Sequence, residues 1–214
     1  MILVTGGTGF VGSHVVHELR GRDLSVRCLV RDPRRLGADR VRVQIALGDL
    51  SDPPSFRNAL RGVDTVLHLA AAIRDQPGGS IEETNAVATW RLVQAAQRAG
   101  VERFVFFSAQ SASAHNRTRF MRAKALAERA VAESGVPHTI FAPSIVYAPG
   151  DAFMTLLSRM ALLPVVPVSG RGRAAYQPIW AEDVAEWVVA LLDGRGEPGR
   201  TRYELAGPET VTHT

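Results

Sequence analysis

Short runs of β-branched and apolar residues alternate with stretches of helical periodicity along this chain. That alternation constrains the fold more than any other feature. The runs are ILVT at 2–5, SVRCLV at 25–30, VQIALGD at 43–49, DTVLHLA at 64–70, RFVFFS at 103–108 and HTIFA at 138–142. Between them VGSHVVHELRGR, PSFRNALRG, NAVATWRLVQAAQRAG and RAKALAERAVAESG carry apolar residues at i, i+3 and i+4 and end near glycine. Strands that are apolar on both faces belong in a parallel sheet covered by helices on both sides. Right-handed crossovers then give a doubly wound α/β sheet, with its ligand at the C-terminal edge of the strands. Residues 1–150 are expected to form one domain of this kind. Beyond them FMTLLSRMALL and EDVAEWVVALLDG read as helices, separated by a proline-rich connection and a short strand around Ala174–Ile179. Residues 151–214 are therefore expected to be a small C-terminal region packed on the first, partly continuing its sheet.

Several function classes are excluded early. The chain of 214 residues carries a formal charge of +4, but its arginines are spread from Arg20 to Arg202 with no dense basic tract or interleaved aromatics. Nucleic acid is not an expected partner. The apolar stretch MALLPVVPV at 160–168 is too short to span a bilayer and contains two prolines, so no transmembrane segment is expected. The chain opens directly into MILVTGG, without a basic leader, and the cytoplasm is the expected compartment. Cys28 is the sole cysteine, which rules out an intrachain disulfide and gives no reason to expect a metal site.

VTGGTGFVGSHVV places glycines at 6, 7, 9 and 12 between the first strand and the first helix. Gly6, Gly9 and Gly12 satisfy G-x-x-G-x-x-G, and Gly7, Gly9 and Gly12 satisfy G-x-G-x-x-G. Such glycines let the chain turn sharply, approach a pyrophosphate closely and pack the helix on the strand. The helix N-terminus adds unpaired N–H groups and a positive dipole. Following a strand and opening a helix, the pattern predicts a dinucleotide site built from Gly6, Thr8, Gly9, Phe10, Val11 and Gly12. The second strand ends in VRDPRR, where sites for NAD place a carboxylate against the ribose 2′-hydroxyl. Arg31 stands there instead, with Arg34 and Arg35 behind it. A guanidinium suits a 2′-phosphate, so NADP is expected over NAD, although Asp32 is one residue from a ribose contact.

The chain resembles the short-chain dehydrogenase/reductase superfamily in its extended or atypical, epimerase/dehydratase-like branch. The resemblance rests on TGGTGFVG at 5–12, GDLSD at 48–52, HLAA at 68–71, TNAVAT at 84–89, FMRAK at 120–124, APSIVYAPG at 142–150 and QPIWAEDVA at 177–185. FFSAQSA at 107–113 and the last two segments are most similar to the atypical group that includes a respiratory complex I accessory subunit and NmrA-like nucleotide sensors. The resemblance implies that Asp49 and Leu50 lie against adenine and that Ala70, Ala71 and Ala72 pass beneath the ribose. It implies that Asn85 ties a helix to the neighbouring strand and that Pro143, Ser144 and Ile145 border the nicotinamide. Asp183 is equally a ligand contact or a first-turn carboxylate balancing the helix dipole.

In this superfamily Y-x-x-x-K on a helix is the reaction centre: the lysine bonds the nicotinamide ribose and lowers the pKa of the tyrosine, which transfers the proton. Lys124 has the lysine's place and is the only lysine among 25 basic residues. A compact ammonium reaches between ribose hydroxyls in a way that a planar guanidinium does not. The competing reading is a solvated helix lysine beside Glu128. Phe120 has the tyrosine's place and no hydroxyl. The usual serine is displaced as well: Ser108 ends the fifth strand, the family's slot falls on Gln110, and Ser111 adjoins it. Two readings stay open. One is an NADP(H)-binding sensor, scaffold or assembly module with a degraded reaction centre. The other is an active reductase or epimerase on a small carbonyl, quinone or sugar-type substrate, using another donor. Tyr147 is the best placed of Tyr147, Tyr176 and His115 for that role.

Overall fold

The structure is a computed structural model and describes residues 1–165, 172–197 and 201–212. Its centre is a sheet of seven parallel strands: β1 (Ile2–Thr5), β2 (Val26–Val30), β3 (Gln44–Leu47), β4 (Thr65–His68), β5 (Arg103–Phe107), β6 (His138–Pro143) and β9 (Arg202–Leu205). The spatial order is β3-β2-β1-β4-β5-β6-β9. Strand order therefore reverses between β1 and β4, whose last residues, Thr5 and His68, are register partners. A crevice opens at such a reversal, because the connections leave the two strands toward opposite faces. A separate parallel pair, β7 (Val146–Tyr147) and β8 (Ile179–Trp180), lies beyond β6.

Alternation along the strands divides the core in two, as a period of two residues requires. Val4, Cys28, Val105 and Phe107 face α1 (Phe10–Gly21) and α6 (Ala181–Leu192), where Val15, Val16, Leu19, Val184, Val188 and Val189 cover them. Leu3, Val66, Phe104 and Phe106 face the other way, toward Phe56 of α2 (Pro53–Phe56), Leu92 and Val93 of α3 (Ala88–Arg98), and Ala127 and Val131 of α4 (Arg119–Ala132). Each fully buried side chain of this size contributes about 1.5–3 kcal/mol. Both faces of the central strands are thus dry, which is why their sequences read as continuous apolar runs.

Most expected elements are present, with instructive shifts. PSFRNALRG, expected as one helix, breaks into the single turn of α2 and a 3-10 turn at Arg57–Leu60. The α4 helix begins at Arg119, three residues before the expected start, because the Thr118 hydroxyl accepts the Met121 N–H and caps it. The stretch at 174–179 pairs as a strand only at Ile179–Trp180, preceded by an isolated bridge between Tyr176 and Val211. Pro178 has no N–H to give a ladder there. Residues 166–168 of the proline-rich connection lie outside the described residues. Arg202–Leu205 was not expected as a strand, yet it adds the outer edge of the sheet. Its sequence is short, with alternate residues charged. The α5 helix (Ala152–Met160), capped by Asp151, buries none of its side chains. Among the described residues no helix is long and apolar enough to cross a membrane.

Candidate functional site

The glycine turn fills the mouth of the crevice. Gly6 has φ +77°, a conformation that side chains rarely adopt, and a Cβ there would stand 2.4 Å from the Ala70 nitrogen. A Cβ on Gly12 would stand 2.1 Å from the Gly6 carbonyl oxygen. The turn therefore closes on β4 and α1 with no room for any other residue. The Gly9 N–H donates to Gly6 and the Ser13 N–H to Gly9, so the first intrahelical bond falls after the amides of Phe10, Val11 and Gly12. Those three are the helix-end donors available to an anion, and no acidic side chain occupies the first turn to oppose one. Thr8 completes the turn, partly exposed. The donor set fits a pyrophosphate.

At the tip of β2 the Arg31 guanidinium is 67% exposed and stands 3.7 Å from an Asp49 carboxylate oxygen. Partial burial would raise the pKa of Asp49. The backbone and hydroxyl of Ser51, both donating to it, and the Arg31 charge outweigh this and hold the carboxylate below its ordinary range. Leu50, beside it, is partly buried against the α2–α3 side of the core. Asp32 is occupied locally: its carboxylate accepts the Arg34 N–H at 3.0 Å and caps the 3-10 segment Pro33–Val41.

Ala70 is half-buried, Ala71 exposed and Ala72 buried along the segment leaving β4. Asn85 fixes this segment from the π turn Glu83–Val87: its amide accepts the Ala72 N–H at 3.2 Å and donates to the carbonyls of Ala72 and Ile81, each at 2.8 Å. Beneath it runs a buried line of side chains that the sequence reading passed over. Thr5 Oγ1 is 2.6 Å from His68 Nδ1, and His68 Nε2 is 2.8 Å from Thr89 Oγ1. A histidine inside the apolar run DTVLHLA was the available signal, since a buried polar group needs partners.

Lys124 is 3% exposed, which overturns its reading as a solvated helix lysine. Its Nζ donates to the Phe107 carbonyl at 2.6 Å and lies 4.8 Å from the centre of the Phe106 ring and 5.8 Å from that of Phe120. Burial pushes its pKa down to about 7, against a smaller upward pull from Glu128. Phe120 packs on Ile81, Ala86 and Ala123. Ser108 follows Phe107 with a hydroxyl that is buried and has no partner. Gln110 is exposed, and its side chain bonds to Glu204 on β9. The structure thus gathers Lys124, Phe120 and Ser108 at the end of β5 and ties Gln110 to the sheet edge. Pro143 pairs with Leu205, the Ser144 hydroxyl donates to the Gln177 carbonyl, and the Ile145 carbonyl accepts the Ile179 N–H. Tyr147, partly exposed, packs edge-on to Trp180 with ring centres 5.1 Å apart. Tyr176 is bridged to Val211, and His115 is exposed. Asp183 lies in the first turn of α6. Among the described residues no cluster of His, Cys, Asp or Glu has a metal-holding arrangement.

A model of the NAD dependent epimerase/dehydratase family matches residues 2–206. The chain belongs to that family. Over 218 residues it is 34% identical to the (4-alkanoyl-5-oxo-2,5-dihydrofuran-3-yl)methyl phosphate reductase of Streptomyces griseus, covering 99% of this chain and 70% of the relative. It is 28% identical over 224 residues to the mitochondrial NADH dehydrogenase [ubiquinone] 1 alpha subcomplex subunit 9 of Arabidopsis thaliana, covering 98% and 54%. This family member spans little more than half the length of several curated relatives. Among solved structures, MoeE5 in complex with UDP-glucose and NAD is similar at a TM-score of 0.79 and 28% identity, covering 99% of this chain and 78% of MoeE5. The fold is the NAD(P)-binding Rossmann type of this family.

Proposed function

We propose that this family member binds NADP(H) and holds it without tyrosine-type turnover, as a nucleotide-responsive sensor, scaffold or assembly module. The observation that carries the reading is the pair on α4: a buried Lys124 lies against Phe120, a ring with no proton to give. Phe10, Val11 and Gly12 would hold the pyrophosphate, Arg31 the 2′-phosphate, Asp49 the adenine amine, and the Ala70–Ala72 segment would underlie the ribose. The bound nicotinamide supplies hydride chemistry; this chain's part is to orient it and to supply or withhold a proton. Positioned acid–base catalysis is worth about 10²–10⁴ in rate, and that is the factor missing at position 120. The similarity to a respiratory-complex subunit agrees with a binding role. The second reading is a reductase drawing its proton from Tyr147; the partial exposure of that phenol, close after Pro143–Ile145, favours it. It also agrees with the similarity to a phosphate-ester reductase.

The test is to incubate the parent protein and Phe120→Tyr with NADPH and a panel of quinones, aldehydes and ketones, following nicotinamide absorbance. The parent is expected to bind NADPH and show little turnover, and the tyrosine variant to gain turnover on at least one carbonyl. Rapid turnover by the parent would overturn the binding-module reading in favour of Tyr147 or another donor.

A further inference from the structure

The line Thr5–His68–Thr89–Asn85 joins the two walls of the proposed cofactor cradle. Thr5 immediately precedes the Gly6 turn, and Asn85 grips the backbone of Ala72. His68 and Thr89 are fully buried, and Thr5 and Asn85 are each 1% exposed, so bulk solvent does not reach them and their partners are those of the line itself. The direction of every bond follows from counting protons. Thr89 Oγ1 lies 2.5 Å from the Asn85 carbonyl, which can only accept, so the single hydroxyl proton of Thr89 is committed there. Thr89 must then accept from His68 Nε2, 2.8 Å away, which places the ring proton on Nε2. His68 Nδ1 is left as an acceptor, and Thr5, 2.6 Å away, donates to it. A charged imidazole would have two donors and would leave Thr5 with its proton misdirected.

We infer that His68, neutral and protonated at Nε2, is the positioning residue of the dinucleotide cradle, setting the glycine turn of β1 against the Ala70–Ala72 platform through Thr5, Thr89 and Asn85. The fit it must hold is tight. The Leu69 N–H donates to the Thr5 carbonyl at 3.0 Å, and a single Cβ at Gly6 would collide with Ala70, so a small shift between the strands reshapes the anion site. Phe106 stacks on the imidazole with ring centres 5.6 Å apart and also carries the Lys124 ammonium over its ring. Complete burial, and secondarily the Lys124 charge, push the pKa of His68 down to about 3, so the imidazole stays neutral near neutral pH. The proposal rests on the binding function above.

The experiment measures NADPH and NADP⁺ affinity by calorimetry for the parent, Thr89→Val, Thr5→Val and Val131→Ala, with nitrogen-15 NMR of the His68 ring in the parent and in Thr89→Val. Valine keeps the shape of threonine and removes the hydroxyl. Val131, buried on α4 and outside this line, is the control position, where Val131→Ala is expected to lower the melting temperature. Thr89→Val and Thr5→Val should each lose about tenfold or more in affinity. Val131→Ala should lose less than about twofold even where its melting temperature falls as far. The parent His68 should show a protonated Nε2 and a bare Nδ1, and Thr89→Val should lose that single form. Rescue of affinity by Thr89→Ser, which restores only the hydroxyl, is expected. A proton on Nδ1 in the parent, or equal affinities in the threonine variants and Val131→Ala, would overturn the positioning role while leaving dinucleotide binding intact. Absence of binding by the parent would remove the proposed function and this inference together.

Discussion

Replacing Lys124 with methionine removes a buried ammonium and keeps most of the volume of its stem. The parent lysine is pushed by burial from an ordinary 10.5 down to about 7 in the folded chain. Between those two values the unfolded chain binds the proton and the folded chain releases it. Stability must therefore rise with pH across that interval. Below about 7 both states carry the proton and the full penalty stands; above 10.5 neither does and the penalty is gone. The whole gap corresponds to roughly 4–5 kcal/mol, of which roughly 3 kcal/mol is recovered between about pH 7 and 9.5. Urea unfolding of both proteins at several pH values in that range measures it, and the difference between them cancels every group they share. The parent should gain on Lys124→Met as pH rises, by an amount of that order. At neutral pH the methionine form should be the more stable, less about 1–3 kcal/mol for leaving the Phe107 carbonyl without its donor. Parallel stability curves for the two proteins would refute the argument, because they would mean that Lys124 titrates alike in the folded and unfolded chains.

Two further outcomes test the cradle itself. Arg31→Ala should remove most of any preference for NADPH over NADH, since one charge-assisted bond is worth about 1.5–3 kcal/mol, or roughly 10–150-fold. Calorimetric titration with both cofactors checks it, and equal affinities in the parent would refute the assignment. Gly12→Ala should abolish measurable dinucleotide binding, because the added Cβ meets the Gly6 carbonyl at 2.1 Å; unchanged affinity would show that the turn is not the anion site.

The sequence by itself determined the architecture and the glycine turn after β1. Both are written in local terms: strands dry on both faces show up as unbroken apolar runs, and a turn with no room for Cβ can only be glycine at Gly6 and Gly12. The pairing of Phe120 with Lys124 was equally legible, because four residues along a helix bring side chains to one face whatever surrounds them. What lay beyond local pattern was decided in three dimensions. Arg202–Leu205 is a strand only because β6 offers it an open edge. Resemblance alone puts Gln110 in the family's serine slot, and its side chain meets Glu204, 94 residues later. Lys124 reads in sequence as a ribose ligand with a surface lysine as the competing reading, and only the packed chain closes Phe106, Phe107 and Phe120 around it and takes away its water. His68 gave one hint, a polar letter in an apolar run. Its partners Thr5 and Thr89, 63 and 21 residues distant, meet it only at the strand reversal. Burial and hydrogen-bond partners are properties of the packed chain, and no spacing along the sequence encodes them.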